Sequence, residues 1–435
     1  MKFLKKYKKN SFNRFLKILG PGLITGAADD DPSGIATYSQ TGAQFGYGQL
    51  WTVLFMYPLM TAIQEACARI GAVTGKGIAA VVRDNYNKKM LYAVVFLVVV
   101  ANTINIGANI GAMAESMRLI IPIPFFYWAI GFTVLMLTLE IYTSYASYAK
   151  ILKWLALVLF AYPITAIIAG QNWPIVLKAL IIPHIEFNFA FFFILTGVLG
   201  TTISPYMFFW QASEEVEEEI KEKRLSQNCV NPPRISKRFM RNIRVDTILG
   251  MFFSEVIAFF IIITTASVLN GNGVTNIETA ADAAKALEPL VSTFPHSGLI
   301  AKSIFAAGVV GIGLLAVPVL AGSASYALSE ALNWNEGLHL KIKKAHGFYS
   351  VIIIATLIGL LINFIGIDPI KALVFTAVFN GIAAVPLIFV IIKISGNNKI
   401  MGEYKNGKLS KALLITTFIA MTTSVILMFI ALLSR

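Results

Sequence analysis

Residues 28–34 read Ala-Asp-Asp-Asp-Pro-Ser-Gly. They lie inside an apolar stretch, about 15–45, that is long enough to cross a bilayer. Three adjacent carboxylates in hydrocarbon are costly unless something compensates them. The Pro-Ser-Gly that follows at once breaks a helix. A broken membrane helix with acids at the break suits an intramembrane cation site. The carbonyls freed at a half-helix C-terminus and the carboxylates both attract positive charge. The alternative is a water-facing loop between two short helices. Apolar flanks with no polar linker argue against it.

The elements that must position these acids are membrane helices. Of the 435 residues 57% are apolar and 14% charged, against about 25% charged in a soluble chain. Eleven apolar spans are predicted, at about 15–45, 49–72, 90–117, 124–144, 148–169, 189–213, 243–269, 297–328, 346–366, 369–393 and 410–433. The fold class is therefore an all-α polytopic membrane protein, with residues 1–435 as one transmembrane domain. The net charge of +13 does not indicate nucleic acid, because the charges lie in loops between spans. Thirty of the 36 Lys and Arg fall on one side, which predicts a cytosolic N-terminus and an extracytosolic C-terminus. Residues 1–17 carry no small-residue cleavage site and read as a cytosolic tail. Cys67 and Cys229 give neither a disulfide framework nor a zinc spacing. No cofactor motif is visible, and nothing points to an enzyme.

Span 6 reads Gly197-Val-Leu-Gly-Thr-Thr-Ile-Ser-Pro-Tyr206. It too has a proline near its middle, behind small and hydroxyl residues. Two interrupted helices five spans apart suggest two five-helix halves of opposite orientation, at about 15–169 and 189–393, with an additional helix at about 410–433. Such a pair of breaks points to a transport site at the bilayer midplane. A chance proline kink is the plainer alternative. After span 6 come Glu214, Glu215, Glu217, Glu218, Glu219 and Glu222, which read as a charged, solvated helix.

Gly20-Pro-Gly22, Asp31-Pro32, Gly42-Ala-Gln-Phe-Gly46 and Val73-Thr-Gly-Lys76 resemble the Nramp family of divalent-metal transporters. The resemblance covers the whole chain. It implies a LeuT-type 5+5 inverted repeat, alternating access, and a metal site between the two breaks. The departures are specific. The family carries Asp-Pro-Gly-Asn in span 1, whereas this chain has Asp31-Pro32-Ser33-Gly34. The family carries Met-Pro-His in span 6, whereas this chain has Ser204-Pro205-Tyr206, and a second family histidine falls on Gln211. These substitutions resemble an Nramp-related, prokaryotic branch associated with magnesium.

Loss of the thioether removes a soft ligand and leaves an all-oxygen site. The expected ligands are Asp31, then Asp30, with Ser204, carbonyls near Ala28 and Thr202, and water. Asn380 falls where many relatives place a glutamine near the metal; an interhelical hydrogen bond is its alternative role. Gly34 is expected to leave room for water. Such a site suits Mg2+, which keeps several waters and takes few carboxylates; Asp29 and Asp30 are expected either to bind a hydrated ion through its water shell or to collect cations at the mouth. While the segment stays helical, its directions forbid all three acids from facing one ion. The acidic pair of span 3 aligns with Asn102 and Asn105, and Asn109 follows. Asparagine carries no proton at these pH values. With Tyr206 and Gln211 in place of histidines, little or no proton coupling is expected.

The predicted function is import of divalent cations, Mg2+ and also Mn2+, by a uniporter of the plasma membrane, with the bilayer and the ion as its partners. A proton-coupled Mn2+ or Fe2+ symporter is the alternative, and a non-transporting membrane metal sensor is an alternative of another class. An intramembrane aspartyl protease would need facing aspartates on two spans, and no second span offers one at depth. No nucleic acid and no obligate protein partner are indicated. Glu65 and Arg69, at i and i+4, are expected to form a structural ion pair. Glu140 ends span 4 and Glu255 lies deep in span 7 without an evident role.

Overall fold

A computed structural model describes Gly26, residues 29–142, 156–221, Leu225 and 235–434. Ala28 lies outside the described residues. The regular elements among them are all helical. The first part of the chain gives α1 (Pro32–Phe45), α2 (Trp51–Thr74), α3 (Ile78–Asn85), α4 (Lys88–Arg118), α5 (Phe125–Tyr142), α6 (Ala161–Ile168) and α7 (Trp173–Ile181). The second gives α8 (Phe189–Thr202), α9 (Pro205–Lys221), α10 (Lys237–Val268), α11 (Ala280–Lys285), α12 (Ser297–Leu332), α13 (His346–Ile362), α14 (Pro369–Ser395) and α15 (Lys408–Leu433).

Seven helical stretches among the described residues are long and apolar enough to cross a bilayer: α4, α5, the joined α8 and α9, α10, α12, α14 and α15. Each of the other four predicted spans contains a helix too, in α1, α2, α6 and α13. Beyond α6 the chain turns by 119° into α7. The caps were written locally. Asn87, Asn188, Ser236 and Asp368 each accept a backbone N–H at a helix start, and Gly75 ends α2 with φ 62°.

Both breaks expected from the sequence are present. Asp29 is helical, Asp30 forms a bend, and Asp31 is the N-cap of α1 with Pro32 at its first position. Thr202 ends α8, Ile203 and Ser204 are non-helical, and Pro205 begins α9. Small residues let the surrounding helices approach closely. A Cβ on Gly200 of α8 would stand 2.1 Å from the Ala377 carbonyl oxygen and 2.3 Å from the Gly381 nitrogen of α14.

The two ends of the bundle are tied differently. At one end Gln171 accepts from the Tyr47 hydroxyl (2.8 Å) and donates to Ser267 (2.7 Å), while Gln40 accepts the Ile277 amide (2.9 Å). At the Lys76 end the Glu65–Arg69 ion pair forms at 3.1 Å, as its spacing predicts. Arg244 joins Glu65 at 3.2 Å, and Arg69 reaches the Tyr404 carbonyl at 2.6 Å. The acidic run after the break is not the solvated helix that its composition predicts. Glu215 and Glu219 are buried. Glu217 accepts from the Tyr326 hydroxyl (2.7 Å) and the Leu338 amide (2.9 Å) and is bonded to His339 Nδ1 (2.8 Å). The run packs because α9 is wedged between α2 and α12, which local composition does not reveal.

Candidate functional site at the two helix breaks

The three acids of the first break sort to two sides, the chain bending at Asp30 and extended at Asp31. All three are at most 2% exposed. Asp29 and Asp30 turn to α10, where the Ser254 hydroxyl lies 2.9 Å from Asp29 Oδ2 and 3.2 Å from Asp30 Oδ1. Glu255 adjoins them, and Glu255 Oε1 and Asp29 Oδ1 have no hydrogen-bond partner among the described residues. This gives Glu255 a neighbourhood that its sequence position did not disclose.

Asp31 turns to α4. Its Oδ1 accepts from the Ser33 hydroxyl (2.5 Å) and the Gly34 amide (3.0 Å), the short reach that starts α1. Its Oδ2 accepts from the side-chain amides of Asn109 (3.1 Å) and Asn105 (3.3 Å). Thr376 of α14 meets Asn105 Oδ1 at 3.2 Å. Asn102 does not join this group: it donates to the Leu320 carbonyl at 3.0 Å. The asparagines that face Asp31 are therefore Asn105 and Asn109, at i and i+4, and not the i, i+3 pair marked in the sequence. The four-residue spacing was the available signal.

The second break meets the first through hydroxyls. Tyr38 and Thr202 are bonded at 3.0 Å. The Ser204 hydroxyl turns back onto the Gly200 (3.1 Å) and Thr201 (2.5 Å) carbonyls, so it caps part of the half-helix end. Its oxygen keeps acceptor capacity for a cation or water. Gly34 faces the second break. A Cβ there would stand 3.3 Å from Thr201 Oγ1 and 3.4 Å from the Tyr38 ring. That threonine hydroxyl is buried and has no hydrogen-bond partner among the described residues.

Asn380 lies one turn beyond Thr376 and next to Gly381, where α14 touches α8. It is 1% exposed, and neither of its amide atoms has a hydrogen-bond partner among the described residues. The interhelical hydrogen bond offered as its alternative role is not found there. A fully buried amide without partners is costly and has ligand capacity to spare. Tyr206 is buried behind the break, where its carbonyl accepts from Ser323 at 2.8 Å. Gln211 donates to Glu215 at 2.9 Å, two turns from Ser204. A thioether absent from the sequence reading lies near Pro32: a Cβ on Gly313 would meet Met113 Sδ at 2.4 Å and Pro32 Cγ at 3.5 Å. Among the described residues no three His, Cys, Asp or Glu side chains are arranged to grip a bare metal ion.

The family model for natural resistance-associated macrophage protein-like sequences, Nramp, matches residues 22–431. The chain belongs to the Nramp family. Nramp relatives include proteins named divalent metal cation transporter MntH. The one from Caldanaerobacter subterraneus subsp. tengcongensis is 25% identical over 422 residues, 95% of this chain and 93% of the relative. The one from Klebsiella pneumoniae subsp. pneumoniae is 25% identical over 398 residues, 90% and 88% respectively. Among solved structures, the Eremococcus coleocola manganese transporter, in complex with an aromatic bis-isothiourea compound, superposes with TM-score 0.71 at 18% identity, over 95% of this chain and 86% of that one. MhsT in complex with L-phenylalanine gives TM-score 0.61 at 12% identity, over 94% and 98%. These likenesses carry the fold, which is the LeuT-type arrangement expected from the sequence.

Proposed function

We propose that this Nramp protein moves divalent metal cations across the membrane by alternating access, with Mg2+ preferred as a partly hydrated ion and without obligatory proton coupling. One observation supports this reading above the others. The groups at the two breaks that offer oxygen to an ion are carboxylate and hydroxyl, Asp31, Thr201 and Ser204, and the unpartnered Asn380 amide lies on the neighbouring α14. Hard cations prefer such oxygen donors, and Mg2+ tolerates one or two carboxylates if it keeps water. In this reading Asp31 is the charged ligand, Ser204, Asn380 and the Thr202 carbonyl are neutral ones, and Asp30 stands off, bonded to Ser254.

Energy need not come from protons. A divalent cation entering a cell at 100 mV, inside negative, gains about 4–5 kcal/mol, more than a thousandfold in accumulation. With thirty of 36 basic residues on one side, the Lys76 end is the cytosolic one in this account. The test is uptake into proteoliposomes of Mg2+, Mn2+ and Cd2+ separately, under an imposed potential, with an internal pH dye. Strong Cd2+ transport would sink the all-oxygen site. The Met113 sulfur near Pro32 favours a second reading, a manganese carrier with thioether assistance. Met113→Leu decides it: the Mg2+/Mn2+ ratio stays unchanged if the sulfur only packs, and rises if the sulfur binds.

A further inference from the structure

Asp31 has no acceptor capacity left over. A carboxylate offers about four lone-pair directions. Here Ser33 and Gly34 take two at Oδ1, and Asn105 and Asn109 take two at Oδ2. The first pair is local to the helix start. The second comes from another helix, and nothing in the cap requires it. An ionised carboxylate accepts and cannot donate, so the amide atoms that face it are the NH2 groups. Asn105 is held in that sense by Thr376, which meets its Oδ1 at 3.2 Å, and by Asn109, whose Nδ2 lies 3.4 Å from the same oxygen. Asn109 Oδ1 has no partner among the described residues, so Asn109 can turn its amide without giving up a bond on its other side.

We infer that Asn105 and Asn109 are positioning residues that satisfy Asp31 while the carrier returns without cargo, and that they yield Oδ2 to the entering cation. The inference rests on the proton-independent reading above. A proton-coupled carrier can neutralise its buried acid for the return step. A uniporter has no proton for that step, and an unpartnered buried carboxylate opposes the transition. Two amide donors leave the charge on Asp31 but supply the hydrogen bonds that burial removes. The same donors compete with the ion, so they speed return at the expense of affinity. The amides are thus a device for turnover and not ligands.

The experiment separates return from loading. Purified wild type, Asn109→Leu and Asn105→Leu are reconstituted, and isotopically labelled Mg2+ or Mn2+ is followed in two formats. Net uptake enters vesicles that hold no divalent cation, so the carrier must return empty. Exchange enters vesicles preloaded with the same unlabelled ion, so it need not. For Asn109→Leu net uptake is expected to fall by about tenfold, the rate equivalent of one lost charge-assisted hydrogen bond. Exchange is expected to stay within about twofold of wild type, and KM for the ion to fall with kcat. Asn105→Leu follows the same direction with a smaller effect, since its bond is longer. Equal losses in both formats, or unchanged net uptake, overturn the inference. If Asn109→Leu is not recovered as a monodisperse protein, Asn109→Ser, which is smaller and too short to reach Oδ2, carries the same comparison. Failure of the underlying reading looks different: the wild type itself would acidify the vesicle lumen in step with ion entry.

Discussion

Replacing Asp31 by alanine and by asparagine should have different consequences, and the difference follows from what the carboxylate holds. Asp31→Ala removes the N-cap of α1, which costs about 1 kcal/mol. It also strands the Asn105 and Asn109 amides, both fully buried, at about 1–3 kcal/mol each. The total is about 3–7 kcal/mol, a large fraction of a typical folding free energy. Asp31→Asn keeps an oxygen for Ser33 and Gly34. Its NH2 then faces Asn109, whose unpartnered Oδ1 can rotate in to accept. The Asn105 NH2 then lacks an acceptor, so the expected cost is about 1–3 kcal/mol, below that of Asp31→Ala. Both variants lose the charge that the proposed function assigns to ion binding, so both should lose transport. The assay pairs thermal unfolding in detergent with uptake into proteoliposomes. Asp31→Asn should unfold below the wild-type temperature and Asp31→Ala lower still, with no uptake by either. Equal stability of the two variants, or uptake by Asp31→Asn, would refute the reasoning. The asparagine variant is therefore the cleaner transport control.

Other outcomes follow from the same geometry. Asn380→Ala gives up no hydrogen bond among the described residues, so it should cost less than about 1 kcal/mol in stability while raising KM for the transported ion; a large stability loss without a KM change would assign the amide a structural role. Gly200→Ala puts a methyl 2.1 Å from the Ala377 oxygen and should destabilise by about 2–3 kcal/mol or more, whereas Gly131→Ala, with nothing within 4 Å of its Cβ, should leave the unfolding temperature unchanged. At the Lys76 end, the hydrogen bond to Glu217 raises the His339 pKa. His339 shares a cavity of ≈ 910 Å³ there with Lys76, Arg83, Glu330, Glu336, Lys343 and Lys344. Because the docked state favours the protonated ring, its contribution is fully present below about pH 6.5 and is lost as pH rises through the raised value. Hydrogen exchange of residues 335–345, corrected for the intrinsic pH dependence, should accelerate across that window, and His339→Gln should show no such step.

The fold was legible because its signals are local. Hydropathy marked the spans, and Asp31-Pro32 and Ser204-Pro205 marked the two breaks, since proline acts on its own neighbours. The Glu65–Arg69 pair was legible for the same reason. What the sequence concealed depends on the rotation of one helix against another. Asn102, Asn105 and Asn109 are alike in composition, yet Asn102 goes to Leu320 and the other two to Asp31. Glu215 and Glu219 read as solvated until α2 and α12 close round α9. Ser254, which gathers Asp29 and Asp30, carries no motif at all.

The central claim is a proton-independent path for a hard divalent cation through Asp31. It is tested most directly by Mg2+ flux into proteoliposomes at an imposed inside-negative potential, with an internal pH dye and Asp31→Asn as control. The account predicts Mg2+ entry that grows with the potential, leaves the dye unchanged and vanishes in the variant. Entry of Mn2+ alone, with matching acidification of the lumen, would contradict it.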